Sequence, residues 1–219
     1  VVRKTQKNWF SLEALLFGQA GLLEGENSAP YFSSLKTEYE FLRKKFCLTN
    51  AQIVKPQFFR LRPSNFPTIR LSQLAYLYSI EHSLFSKLIK AKDRSYIQKV
   101  LYSRTSSFWD THYTFGKEST FKEKKLSKSF IDLLIINTII PLKYVYGKIH
   151  GNIRSQELIS LVRSVNKEMN TTVEGFIKIR PMELTALETQ ALVQLKSNYC
   201  DKNNCLQCEI GHRLLNRNM

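Results

Sequence analysis

The sequence is short of cysteine, short of acid and without a long apolar run, and each shortage removes a class of protein. Four cysteines occur in 219 residues, three of them between Cys200 and Cys208. Neighbours that close cannot build the disulfide framework of a small secreted domain, so a cytoplasmic setting is expected. The most apolar stretch, Phe130 to Leu142, contains Asp132 and Asn137. It falls short of the ~20 residues that cross a bilayer, and no membrane contact is expected. Nothing near the start resembles a signal peptide. The chain begins at Val1 rather than Met and reads as a piece of a longer protein, forming a single helical domain over 1–219. Four histidines are scattered along it, with no glycine-rich phosphate loop, no nucleophile signature and no paired carboxylates for metal-dependent hydrolysis. Catalysis by these residues is not expected.

Acid is outnumbered. Lys and Arg total 33 against 18 Asp and Glu, a net charge of +15. Charge of that size concentrates polyanions, nucleic acid foremost. No Lys/Arg run exceeds three residues, so the same charge also suits plain solubility. The 43% hydrophobic and 12% aromatic content supplies a core and excludes disorder.

Helical periodicity dominates what remains. Trp9, Leu12, Leu15, Leu16, Leu22 and Leu23 form a first stripe. Phe32, Leu35, Tyr39, Leu42 and Phe46 predict a second helix from about Tyr31 to Phe46. The segment from Asn50 to Arg70 carries Pro56, Pro63 and Pro67 and reads as a loop. A helix restarts at Pro67, with Ser64 or Asn65 as its cap. Further helices are expected at Ser83–Lys92, briefly after Asp93, at Phe130–Tyr146, Ser155–Asn166, Thr171–Ile179 and Leu184–Tyr199. The Phe130–Tyr146 helix is apolar all round and reads as central, kinked at Pro141. Arg104 to Thr120 has no period and reads as an irregular connection. No repeat and no set of strands appears, so the fold class is all-α, an irregular multi-helix bundle with a C-terminal cysteine turn.

Three constellations carry possible chemistry. Arg60, Arg62 and Arg70 surround a helix start and alternate with Phe58, Phe59 and Phe66; guanidinium groups beside a helix N-terminus suit phosphate. The alternative is a loop pinned to Glu38 or Glu40. Asn137 lies four residues before Pro141, which leaves its carbonyl without a helical donor and points to a ligand pocket or to a kinked core helix with a satisfied Asn. Cys200, Cys205, Cys208 and His212 have spacing that suits structural zinc. With Cys47 as a remote ligand an iron–sulfur cluster is the second option, and three thiols packing a turn is the third. In any of these the three sulfurs should converge, with Leu206 and Ile210 pressing the turn onto the core.

The segments "NWFSLEALLFGQAGLL", "TEYEFLRKKF", "FFRLRPSNFPTIRLSQLA", "IINTIIPLKYVYG", "ETQALVQLK" and "YCDKNNCLQCEIG" resemble a bacterial family of unknown function, domain family 2851, in its C-terminal half. The resemblance implies an N-terminal half with a nuclease fold of the restriction-endonuclease type, and it places the three cysteines, but not His212, in the family pattern. Two functions follow as expectations. One is a basic helical accessory domain of a nuclease-like two-part protein, contacting nucleic acid. The other is a structural or docking domain, without a ligand of its own, that covers the N-terminal half.

Overall fold

The predicted stripes become helices at nearly the expected places. In a computed structural model describing residues 1–49 and 53–215, α1 (Val2–Thr5) and α2 (Trp9–Gln19) precede α3 (Pro30–Lys45), α4 (Pro67–Ile80), α5 (Leu84–Lys90) and α6 (Arg94–Val100). Then come α7 (Lys128–Leu134), a π-helical segment Ile135–Ile139, α8 (Ile140–Ile149), α9 (Ser155–Ser164), α10 (Thr171–Ile179), α11 (Ala186–Leu195) and α12 (Glu209–Leu215). The fold is all-α. Asn50 to Gln52, the first residues of the predicted proline loop, lie outside the described residues.

Helix ends follow local chemistry. Asn8 and Asn170 accept from the backbone N–H of Ser11 and Val173, and Thr185 with Glu188 forms a reciprocal capping box at α11. The start of α4 departs from expectation: Phe66 occupies the cap position without a side-chain bond, and Asn65 is turned to Arg70 instead. At the end of α3, Leu48 N–H reaches Arg43 O at 3.0 Å and Cys47 N–H reaches Lys44 O at 3.4 Å. That pattern is a Schellman cap, and it holds Cys47 at φ 50°.

The chain forms two compact units, Val1–Leu88 with Gln98–Ser127, and Ile89–Ile97 with the described residues from Lys128 onward. In the first, α2 packs on α3 and α4. Leu12, Ala14, Leu15 and Phe17 are buried against Leu35, Tyr39, Leu42, Ile69 and Ala75. Gly18 is required by this packing, because a Cβ there would fall 2.1 Å from Tyr39 Cγ. The connection read as irregular holds more order than expected. It contains a 3-10 turn (Ser107–Asp110) and an antiparallel hairpin, β1 (His112–Thr114) with β2 (Lys117–Glu118). These place Trp109, fully buried, 5.5 Å from the Phe17 ring and 5.1 Å from Phe115.

In the second unit, Ile131, Ile135, Ile136 and Ile139 are buried, as are Leu161, Val165, Val173 and Ala186. Asp132 is buried among them. It accepts from Arg94 Nε at 2.8 Å and Nη2 at 2.6 Å, a bidentate pair that offsets the cost of burying a carboxylate. The expectation of a central helix is corrected here, and the satisfied reading of Asn137 holds. The helix read as central, Phe130–Tyr146, exposes Leu142, Tyr144 and Val145, whereas α2 is buried on most sides. The kink at Pro141 is expressed as the π segment before it: Ile140 N–H bonds to Ile135 O, and Asn137 Nδ2 donates to Leu133 O at 3.1 Å. Asn137 is thus satisfied by its own helix and exposed, not turned into a pocket. Lys128–Ile149 as a whole is a helical stretch of 22 residues, long and apolar enough by length and composition to cross a membrane. That is longer than the Phe130–Leu142 core suggested.

Candidate nucleic-acid interface

From Ile53 to Phe66 the chain contains no Asp or Glu, and its aromatic residues divide into anchors and an exposed ring. Phe58 meets Phe66 edge to face at 5.1 Å, and Phe66 meets Tyr113 at 6.4 Å, tying the loop to the Trp109 cluster. Phe59 points outward and is 78% exposed. The Arg60 guanidinium lies 5.1 Å from its ring centroid, with Arg60 in the left-handed region at φ 62°. A non-glycine residue held there costs ~1 kcal/mol or more. Arg62 is exposed, and among the described residues neither Arg60 nor Arg62 forms an ion pair. The loop is therefore held by rings rather than by Glu38 or Glu40, and Glu38 accepts from Ser11 Oγ at 2.6 Å.

Arg70 behaves differently from the other two. Its Nη1 donates to Gln73 Oε1 at 2.9 Å and its Nη2 to Asn65 Oδ1 at 2.5 Å, and burial lowers its pKa. It is a strut between the loop and α4. The expected cluster of three arginines is thus two outward groups and one inward one.

The cysteine turn is a helix end. The π-helical Lys196–Cys200 segment continues α11. Asn204 N–H then bonds to Tyr199 O at 2.9 Å and Asn203 N–H to Cys200 O at 3.2 Å, a second Schellman cap with Asn203 at φ 55°. A 3-10 turn, Cys205–Gln207, leads into α12. Gly211 is needed where α12 crosses that turn, since a Cβ would lie 2.3 Å from Cys205 O. All four cysteines are free; Cys47, Cys200 and Cys205 are exposed and Cys208 is buried. No group of three or more His, Cys, Asp and Glu side chains that could hold a metal is present among the described residues, His212 included. Leu206 and Ile210, expected as anchors, are 78% and 54% exposed. The turn is fixed by backbone hydrogen bonds, so it does not need apolar anchors.

A family model described as Protein of unknown function (DUF2851) matches residues 1–171. The chain belongs to that family. No curated protein and no solved structure matches it. The DUF2851 match includes the Arg60 loop and ends before α11, so the resemblance drawn over "ETQALVQLK" and "YCDKNNCLQCEIG" lies outside the matched residues. Placing the chain as the family's C-terminal half is narrowed accordingly.

Within the span that matches DUF2851, sequence reasoning missed a buried carboxyl. Glu13, wholly inaccessible, accepts from Trp109 Nε1 at 2.6 Å and Ser106 Oγ at 3.2 Å. Ser106 Oγ in turn lies 2.9 Å from Tyr31 Oη, and its N–H donates to Ser72 Oγ at 3.0 Å. Burial pushes the Glu13 carboxyl above the usual carboxylate range, against the lowering effect of the Trp109 bond. Burial likewise raises the Tyr31 phenol. The available signal was one acidic residue inside "SLEALLFG", on a helix with no other charged residue.

Proposed function

We propose that this DUF2851 chain contacts nucleic acid, with single strands preferred, through the Ile53–Phe66 loop. The observation that carries the reading is Phe59, exposed with Arg60 over its ring on a loop without acid. An exposed ring stacks on an unpaired base, while Arg60 and Arg62 meet the phosphates on either side. The +15 net charge raises the local concentration of such a ligand. Arg70 contributes by holding the loop against α4 rather than by touching phosphate.

Fluorescence anisotropy with short single- and double-stranded oligonucleotides at low and moderate salt tests this. Phe59→Ala should cost about 1–3 kcal/mol of single-strand affinity, and Arg60→Ala or Arg62→Ala should each reduce the salt slope by about one. Absence of binding at low salt, or equal affinity of Phe59→Ala and the native chain, refutes the loop as the interface.

One observation favours a second reading, that of a docking domain. Leu142, Tyr144, Val145 and Ile149 of α8 are exposed together with Ile153, and apolar surface of this kind marks protein contact. The partner would be the other half of longer family members. Mixing the two halves and finding no association by analytical ultracentrifugation would remove this reading.

A further inference from the structure

In the second unit a cavity of about 450 Å3 is bordered by Lys90, Lys92, Lys143, His150, Arg154 and Glu157. Its cations are brought there by backbone constraints. Lys143 Nζ donates to Ile89 O at 2.5 Å and Ala91 O at 2.7 Å, which fixes the segment bearing Lys90 and Lys92 at one edge. At the other edge, Asn152 N–H bonds to Gly147 O at 2.8 Å. Gly147 has no room for a Cβ, which would lie 2.8 Å from Asn152 O. The close turn delivers Arg154 to the same opening.

The charge around this cavity is unbalanced. Four cations face one carboxylate, 4 − 1 = 3, and Glu157 is already shared, 3.3 Å from Arg154 and 4.0 Å from Lys92. Like charges gathered at one cavity oppose folding unless an anion joins them. Ile89 and Leu158 add an apolar wall, and the volume lies within the range of small-molecule sites, roughly 300–1,000 Å3. Flexible lysines with one arginine fork suit clustered phosphate oxygens better than a single carboxylate.

We propose that this cavity binds the polyphosphate group of a small molecule, of the kind a nucleoside triphosphate carries. Lys90, Lys92 and Arg154 meet the phosphate oxygens, and Lys143 holds the edge in place. The cavity lining includes no residue of the Phe59 loop, and the proposal does not depend on nucleic-acid binding.

The test is calorimetric titration of the full chain with pyrophosphate, adenosine triphosphate and adenosine, at about 0.15 M salt to screen general attraction. Pyrophosphate and the triphosphate should both bind. Lys92→Gln combined with Arg154→Gln should weaken both by about tenfold or more, since two charge-assisted contacts are lost. Lys44→Gln combined with Lys45→Gln, an equal loss of charge on exposed positions of α3, should change neither. Tighter binding of the triphosphate adds a ring held near Ile89 and Leu158; equal binding assigns the cavity to polyphosphate alone, and both outcomes support the proposal. It is overturned if neither phosphate binds, if adenosine binds as well as the triphosphate, or if the α3 pair weakens binding as much as the cavity pair.

Discussion

Glu13 can be perturbed in two ways that separate its shape from its charge. Glu13→Ala leaves Trp109 Nε1, now 2.6 Å from its acceptor, buried without a partner. Such a donor costs about 1–3 kcal/mol, and the emptied space beside Trp109 adds to it, as with other large-to-small core changes of about 2–5 kcal/mol. Removing a desolvated carboxyl offsets part of this, so a net loss of about 2–4 kcal/mol is expected. Glu13→Gln keeps the shape and the acceptor and removes the charge. The folded carboxyl titrates above its ordinary value of 4.5. The folded state therefore binds more protons than the unfolded state from pH 4.5 up to the folded pKa, and native stability falls as pH rises through that window. Relative to the native chain, Glu13→Gln should gain stability across this window and hold a constant lead above it. Both tryptophans, Trp9 and Trp109, lie in the first unit, so urea unfolding followed by tryptophan fluorescence at a series of pH values reads that unit alone. If Glu13→Gln is less stable than the native chain at pH 8 by an amount that does not change with pH, Glu13 is a well-solvated ionised partner and the reasoning fails.

Four further outcomes are expected. Cys47→Gly should gain up to about 1 kcal/mol by relieving the left-handed Schellman position, while Cys47→Ala, which keeps the Cβ, should not; thermal melts compare them. Gly18→Ala should cost about 1–3 kcal/mol or more through overpacking against Tyr39, and Tyr39→Leu in the same chain should recover part of that loss. Arg94→Ala should destabilise the second unit by about 3 kcal/mol, because it strands the Asp132 carboxylate; hydrogen exchange in α7 and α9 reports this where tryptophan cannot. With an aromatic disulfide reagent, Cys47, Cys200 and Cys205 should react fast and Cys208 slowly.

Most helices of this chain were legible because their determinants are local. The stripe of Phe32, Leu35, Tyr39 and Leu42 forms α3 within one residue of its expected ends, and Thr171–Ile179 matches α10. Period, caps and proline act over three or four residues, so sequence alone carries them. The same locality leaves Arg60 and Arg62 exposed on the loop. A proline-rich segment keeps its cations on the surface whatever it packs against.

Tertiary structure decided everything that depends on long separations. Glu13, Tyr31, Ser72, Ser106 and Trp109 meet through α2, α3, α4 and a 3-10 turn, and no spacing in the sequence announces it. The hairpin at His112–Glu118 has a single residue pair of regular register before it slips, too little for a period of two to be visible. The choice of α2 over Phe130–Tyr146 as the enclosed helix was also global. Apolar composition sets what a helix can bury, but the number of helices packed around it sets what it does bury. The cysteine turn divides along the same line: its loop-forming residues predicted a reversal, and the reversal formed as a helix cap. The geometry of its thiols rested on which backbone groups the cap consumed, and only the folded chain fixes that.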